Sequence, residues 1–232
     1  MKRTIALAVA IVLGGAYAVD NAYAANLERR IGEETRQHAH LDATPKIYLG
    51  GVPYAQALIT GEIPIISSEV LDVDVPRLGM VNARTEARGV EVTPEQVREG
   101  NITGARAGLL TRRISMDGVA LGHLLNMTDL DITQPYDMSP NGGDAAEVRL
   151  RGTPPGAIEP VTELAKLRII GDTINIIPEH NDAFALTFTN AEMPLTAPAS
   201  KIFVAGGSIY VESLERNVLL DATDLSPLSR ST

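Results

Sequence analysis

Cysteine and tryptophan are missing from all 232 residues, and aromatic side chains make up only 4% of them. Without cysteine the chain has no disulfide, no thiolate metal ligand, no cysteine nucleophile and no site for a lipid-modified cysteine anchor. Also missing are a Gly-x-Ser-x-Gly elbow, a phosphate-binding loop, a dinucleotide fingerprint and a His-Glu-x-x-His pair. A protein that is not an enzyme and carries no cofactor is therefore expected. Positive charge is in short supply, with 20 basic against 29 acidic side chains and a net charge of −9. Such a surface repels polyanions, and no dense basic run or stacking platform offsets this, so nucleic acid is excluded as a partner. The same sign opposes unspecific adsorption to anionic bilayers.

Hydrophobic residues reach 44%, enough for a core. Lys2 and Arg3 precede a 14-residue apolar run from Ile5 to Ala18. That length suits a signal-peptide core better than a full membrane span, so export is expected. Ala22-Tyr23-Ala24 offers small residues for cleavage before Ala25, and Ala16-Tyr17-Ala18 is a second candidate. An uncleaved anchor on the outer face of the cytoplasmic membrane stays open as the other outcome, and either places the domain in the cell envelope or periplasm. The expected organisation is a signal peptide or anchor over residues 1–24, one domain over 25–220 and a flexible tail over 221–232.

Leu27, Ile31, Thr35 and His38 recur at helical spacing, which predicts an amphipathic helix from about Ala25 to Leu41. Beyond Gly61 the period becomes two. Leu71, Val73 and Val75 alternate with Asp72 and Asp74; Ala83, Thr85 and Ala87 alternate with charged residues until Gly89, where the apolar phase shifts to Val90 and Val92 and predicts a bend. Thr93-Pro94 with Gln96 signals a short helix ending at Gly100. Val148 and Leu150 within Glu147–Arg151 give the clearest half-buried strand, and further strands are expected near Ile114, Leu130, 161–170, 173–177, 184–188, 201–204 and 208–214. Nine to ten strands with helices at the N-terminus and in connectors predict an α+β fold with a large, curved, mainly antiparallel sheet.

Asp72-Val-Asp74 and Asp129-Leu-Asp131 have the spacing of a divalent-ion pair, but both fall inside alternating strands and read as solvated faces. His38, His40, His123 and His180 read as surface or cap residues, so no metal site is expected. Arg112-Arg113, and Arg149 with Arg151, are candidates to meet a lipid phosphate or are simply exposed strand residues.

The most informative stretch is Thr44–Gly61, TPKIYLGGVPYAQALITG. A strand-like Lys46–Leu49 enters Gly50-Gly51, where unusual torsions are available, and Val52-Pro53 leads into a short apolar helix closed by Gly61. With Gly51, Pro53, Tyr54, Leu58 and Gly61 at this spacing, and with Val204–Ser213 (VAGGSIYVES) near the C-terminus, the chain resembles the LmeA-like phospholipid-binding family of actinobacterial cell envelopes, formerly a domain of unknown function. The resemblance covers most of residues 26–220. It implies a tubular lipid-binding-like fold, in which a twisted sheet wraps a long N-terminal helix around an apolar tunnel. It further implies a phospholipid partner, of phosphoinositide type, at a membrane surface, and support of lipoglycan (lipomannan) elongation beside an envelope glycosyltransferase. Tyr48, Tyr54, Leu58, Ile63 and Ile65, with Leu27 and Ile31 from the helix and Phe184 and Phe188, are the candidate acyl-chain contacts, though each taken singly reads more readily as ordinary core. A structural or interaction protein of the envelope with a solid core is the alternative.

Overall fold

A computed structural model describes residues 2–136, 141–221 and 223–228, with side chains from Ala10 onward except that of Asn141. The side chains of Lys2, Arg3 and Ile5, which carry the export reading, lie outside the described residues, as do residues 222 and 229–232 of the expected tail. In chain order the elements are α1 (Lys2–Ala39), β1 (Lys46–Gly50), α2 (Ala57–Thr60), β2 (Glu62–Val75), β3 (Gly79–Glu91), α3 (Pro94–Glu99), β4 (Arg106–Asp117), α4 (Gly118–Leu125), β5 (Asp131–Thr133), β6 (Asn141–Gly142), β7 (Ala145–Gly152), β8 (Val161–Ile170), β9 (Thr173–Pro178), β10 (Leu186–Thr189), β11 (Ala199–Ala205) and β12 (Ser208–Leu219). Short 3-10 turns occupy Tyr54–Gln56, Asp182–Phe184 and Asn190–Glu192.

The α+β expectation holds, and the strands sort into two antiparallel sheets that do not close into a barrel. One has the order β1-β2-β3-β4-β12-β11, the other β10-β9-β8-β7-β5 with β6 also on β7. The chain divides into two compact units. The first comprises Met1–Ser68, Glu86–Leu110 and Arg216–Ser226; the second comprises Glu69–Thr85, Thr111–Glu215 and Pro227–Thr232.

In the first unit α1 buries Leu27, Ile31 and Thr35, four residues apart and so on one face, in a core with Ile47 and Leu49 of β1, Ile63 and Ile66 of β2, and Ala87 and Val90 of β3. Glu28 accepts a hydrogen bond from the Leu49 amide at 2.8 Å, tying the helix to β1. The helix at Pro94–Glu99 opens on a reciprocal box: the Thr93 hydroxyl accepts from the Gln96 amide at 3.2 Å, and the Gln96 side chain accepts from the Thr93 amide at 2.9 Å. Gly89 has φ +59, and the buried phase moves there from Ala87 to Val90 as its sequence predicts. Past Leu220 the chain keeps packing, with Leu225 in this core and Ser226 buried.

The second unit is built on the β7–β8–β9 meander. Val148 faces Ala165 and Leu150 faces Glu163, so alternate side chains Ala146, Val148 and Leu150 enter the core while Glu147 and Arg149 stay half out. Glu163 is buried, and its carboxylate accepts from the His180 amide at 2.6 Å. Phe184, Phe188, Ile174, Ile176, Met116 and Leu121 fill the same core.

Three features differ from the sequence reading. The first helix starts at Lys2, not near Ala25: no proline lies between Ile5 and Leu27, so the apolar run and the amphipathic stretch form one continuous helix. Leu71 is exposed where alternation predicts it buried, since Asp72 adopts φ +53 and reverses the phase, its amide donating to Asn82 at 2.9 Å. Arg112 is buried instead of exposed, donating to Glu215 at 3.0 Å and to Thr196.

Candidate functional site

The Gly-Gly-Val-Pro stretch of the first unit is pinned from below by α1. The Tyr54 and Ala55 amides open the 3-10 turn and donate to the two carboxylate oxygens of Asp20 at 2.7 and 2.8 Å. Tyr54 is buried with its ring 6.1 Å from that of Tyr23, and the Tyr23 hydroxyl donates to the Arg98 carbonyl at 2.7 Å. Burial, with Tyr23 and Asp20 adding to it, pushes the Tyr54 phenol up to about 12, so it stays neutral and serves as a packing group. The stretch encloses a cavity of about 140 Å³ lined by Gly50, Gly51, Pro53, Tyr54 and Pro64, well below the ~300–1,000 Å³ of ordinary ligand pockets. Nothing local in the sequence marks Asp20, because its carboxylate meets two amides 34 and 35 positions away. Asp20→Ala is expected to lower the unfolding free energy by about 1 kcal/mol, as for loss of a helix cap, and Asp20→Asn, which keeps one acceptor, by less. Urea midpoints check both.

The nine candidate lipid contacts fall into three environments. Leu27, Ile31, Tyr54 and Ile63 come together in the core of the first unit, and Phe184 and Phe188 in that of the second. Ile65 is half-buried, while Tyr48 and Leu58 are exposed.

A larger cavity, about 410 Å³, lies in the second unit at the turn after β2 and the 3-10 turn that follows β10. Val75, Pro76, Met193, Pro194, Leu195 and Leu228 give it apolar walls. Arg77 and Glu192, in contact as an ion pair, stand among its lining. The Glu192 carboxyl is held below its usual range chiefly by the Thr189 amide, which donates to it at 2.8 Å, and further by Arg77. Its volume is within the range that takes a small ligand. None of the nine candidates lines it. The sequence signal was slight, since Val75-Pro76 and Met193-Pro194-Leu195 are irregular segments without a periodic pattern.

The Val204–Ser213 stretch forms the β11–β12 hairpin, with Val204 opposite Ile209 and Ala205 opposite Ser208. On it Phe203 and Tyr210 stack at 4.8 Å, with the Arg113 guanidinium 5.4 and 5.7 Å from the two ring centroids and Lys201 4.7 Å from Phe203. Buried Glu212 accepts from Arg113 at 2.5 Å and lies 3.7 Å from Lys201.

Asp129 accepts from the Thr153 amide and hydroxyl, each at 2.8 Å, and these bonds hold its carboxyl below the usual range. Asp131 pairs with Arg151 across β5 and β7. Among the described residues no group of three or more His, Asp or Glu side chains is placed to hold an ion.

No curated protein and no solved structure matches the chain. A protein-family model described as LmeA-like phospholipid-binding matches residues 18–226, a span that takes in the Asp20-pinned stretch, the cavity walls from Val75 to Leu195 and the β11–β12 hairpin. The chain belongs to the LmeA-like phospholipid-binding family.

Proposed function

We propose that this protein is an exported or membrane-tethered phospholipid carrier that shelters acyl chain in the cavity beside Met193 and leaves the head group near Arg77. The family match over residues 18–226 carries the phospholipid, and the apolar volume of about 410 Å³ supports this place for it. Arg77, on the cavity lining with an exposed side chain, supplies a guanidinium for a lipid phosphate. At ~0.8 kcal/mol per methylene, an acyl chain of about 15 methylenes gains about 12 kcal/mol on leaving water, but leaving a bilayer costs nearly as much. Exchange with a membrane is then close to balanced, which suits carriage and presentation without a covalent step. The family resemblance supports phosphoinositide-type lipid and a role in lipomannan elongation beside an envelope glycosyltransferase, and Ile5–Ala18 supports export.

A second reading, an interaction protein of the envelope with a solid core, is favoured by the burial of Leu27, Ile31, Tyr54, Ile63, Phe184 and Phe188 against other side chains. Native mass spectrometry of protein purified without detergent separates them. Carriage predicts an adduct of one phospholipid mass, present on purification or acquired from liposomes; a bare chain after liposome incubation supports the solid core.

A further inference from the structure

The exposed apolar side chains of the first unit are not scattered. From Ala10 to Val19 every residue of α1 is exposed, Ile11, Val12, Leu13, Tyr17 and Val19 each by more than half, so among the described residues nothing covers this stretch of helix on any face. Its next residue, Asp20, holds the amides of Tyr54 and Ala55. The segment fastened there is apolar and outward-facing: Val52 is 65% and Ile59 89% exposed, with Leu58 between core and solvent at 40%. Tyr17 precedes Asp20 by three residues and so lies on the same helix face as the fastening. Helix and loop therefore present one apolar edge on one piece of structure, where isolated exposed apolar groups would need no explanation.

Charge indicates what covers it. In a chain of net charge −9, the 16 residues from Lys46 to Gly61 hold no carboxylate and one cation, Lys46. Two carboxylates of α1, Asp20 and Glu28, accept backbone amides of this same segment. The edge, bounded by the exposed carboxylate of Glu62, thus bears aliphatic side chains and tyrosines, Tyr17, Tyr23 and Tyr48, of the kind that settle at the level of lipid head groups.

We propose that Val52, Leu58 and Ile59, joined by Tyr17 and Val19 of α1 where residues 1–24 are kept as an anchor, seat this protein in the interfacial layer of a phospholipid bilayer of low net charge. The choice of a bilayer as partner rests on the phospholipid-binding reading, because a carrier must meet the membrane that supplies its cargo.

Because the chain has no cysteine, Ile59→Cys creates a unique attachment point for an environment-sensitive fluorophore, and Ile158→Cys, at a residue 97% exposed in the second unit, is the control. With the full chain and phosphatidylcholine vesicles, the label at position 59 is expected to brighten several-fold, shift to the blue and be quenched by lipid-borne quenchers, while the label at 158 stays unchanged. A silent label at 59, or equal responses at both positions, overturns the docking edge. Brightening with protein concentration in the absence of vesicles overturns it too, in favour of self-association. Lipid adducts counted on the same samples by native mass spectrometry keep the two readings apart. A silent label on lipid-loaded protein overturns docking alone, and a responsive label on lipid-free protein overturns carriage alone.

Discussion

Phe184→Ala is expected to lower the unfolding free energy by about 3–5 kcal/mol, visible as a lower urea midpoint with little change in slope. Phe184 is wholly buried at the end of the Asp182–Phe184 turn, which Asn181 caps by accepting from the Ala183 amide at 3.0 Å. Its ring belongs to the core that also holds Phe188, which faces Ile174 across β10 and β9. Truncation removes most of a phenyl group from close-packed surroundings that relax only in part, so the transfer loss and the cavity left behind add. The same substitution tests the resemblance-based idea that Phe184 touches acyl chain. A wall of a lipid-filled space would lose little in loaded protein, since lipid occupies the vacated volume, and would lose more after delipidation. A packed core residue loses the same in both states, and equal losses are the expected outcome. Unequal losses would move the lipid site from the cavity beside Met193 to the Phe184 core.

How far the chain could be read in advance depended on whether its signals were local. Strands with a strict period of two, Ala145–Gly152 above all, and the boxed helix at Thr93–Gln96 were legible because neighbouring residues carry the whole pattern. The bend at Gly89 was legible for the same reason, as a phase change within five residues. The misplacement of Leu71 came from one non-glycine residue in the left-handed region, which alternation does not announce. Arg112 looked exposed beside Arg113, and its burial depends on Thr196 and Glu215, 84 and 103 positions on. The candidate site divides along the same line. The Gly-Gly-Val-Pro signature gave the family, yet its support by Asp20 and the larger cavity between two Pro-containing turns arise from residues distant in sequence.

Gly50→Ala is expected to cost up to about 3 kcal/mol, the upper part of the range for forcing extra volume into a packed site. Gly50 ends β1 in ordinary strand conformation outside the left-handed region, so backbone freedom does not explain a glycine here. Space does. A Cβ on Gly50 would lie 1.9 Å from Cγ2 of Ile65, and 3.3 Å from both Cβ and the carbonyl oxygen of the same residue. Because Ile65 is β-branched, swinging one methyl away carries the other γ carbon towards its neighbours, so the clash is not relieved by a terminal rotation. Ile65→Ala deletes the clashing methyl at the smaller cost of truncating a half-buried side chain. The double substitution is then expected to lose less than the two single losses combined, by about 1 kcal/mol or more, as contacting residues do. Urea midpoints of the four proteins supply the cycle. Additive losses would mean that the carbonyl of Ile65, not its methyl, sets the requirement, and that β1 and β2 approach too closely here for any side chain at position 50. Under either outcome the β1 end of the signature is fixed by sheet packing. Contact with a bilayer, as proposed above, is then left to Val52, Leu58 and Ile59 beyond it, whose side chains are exposed.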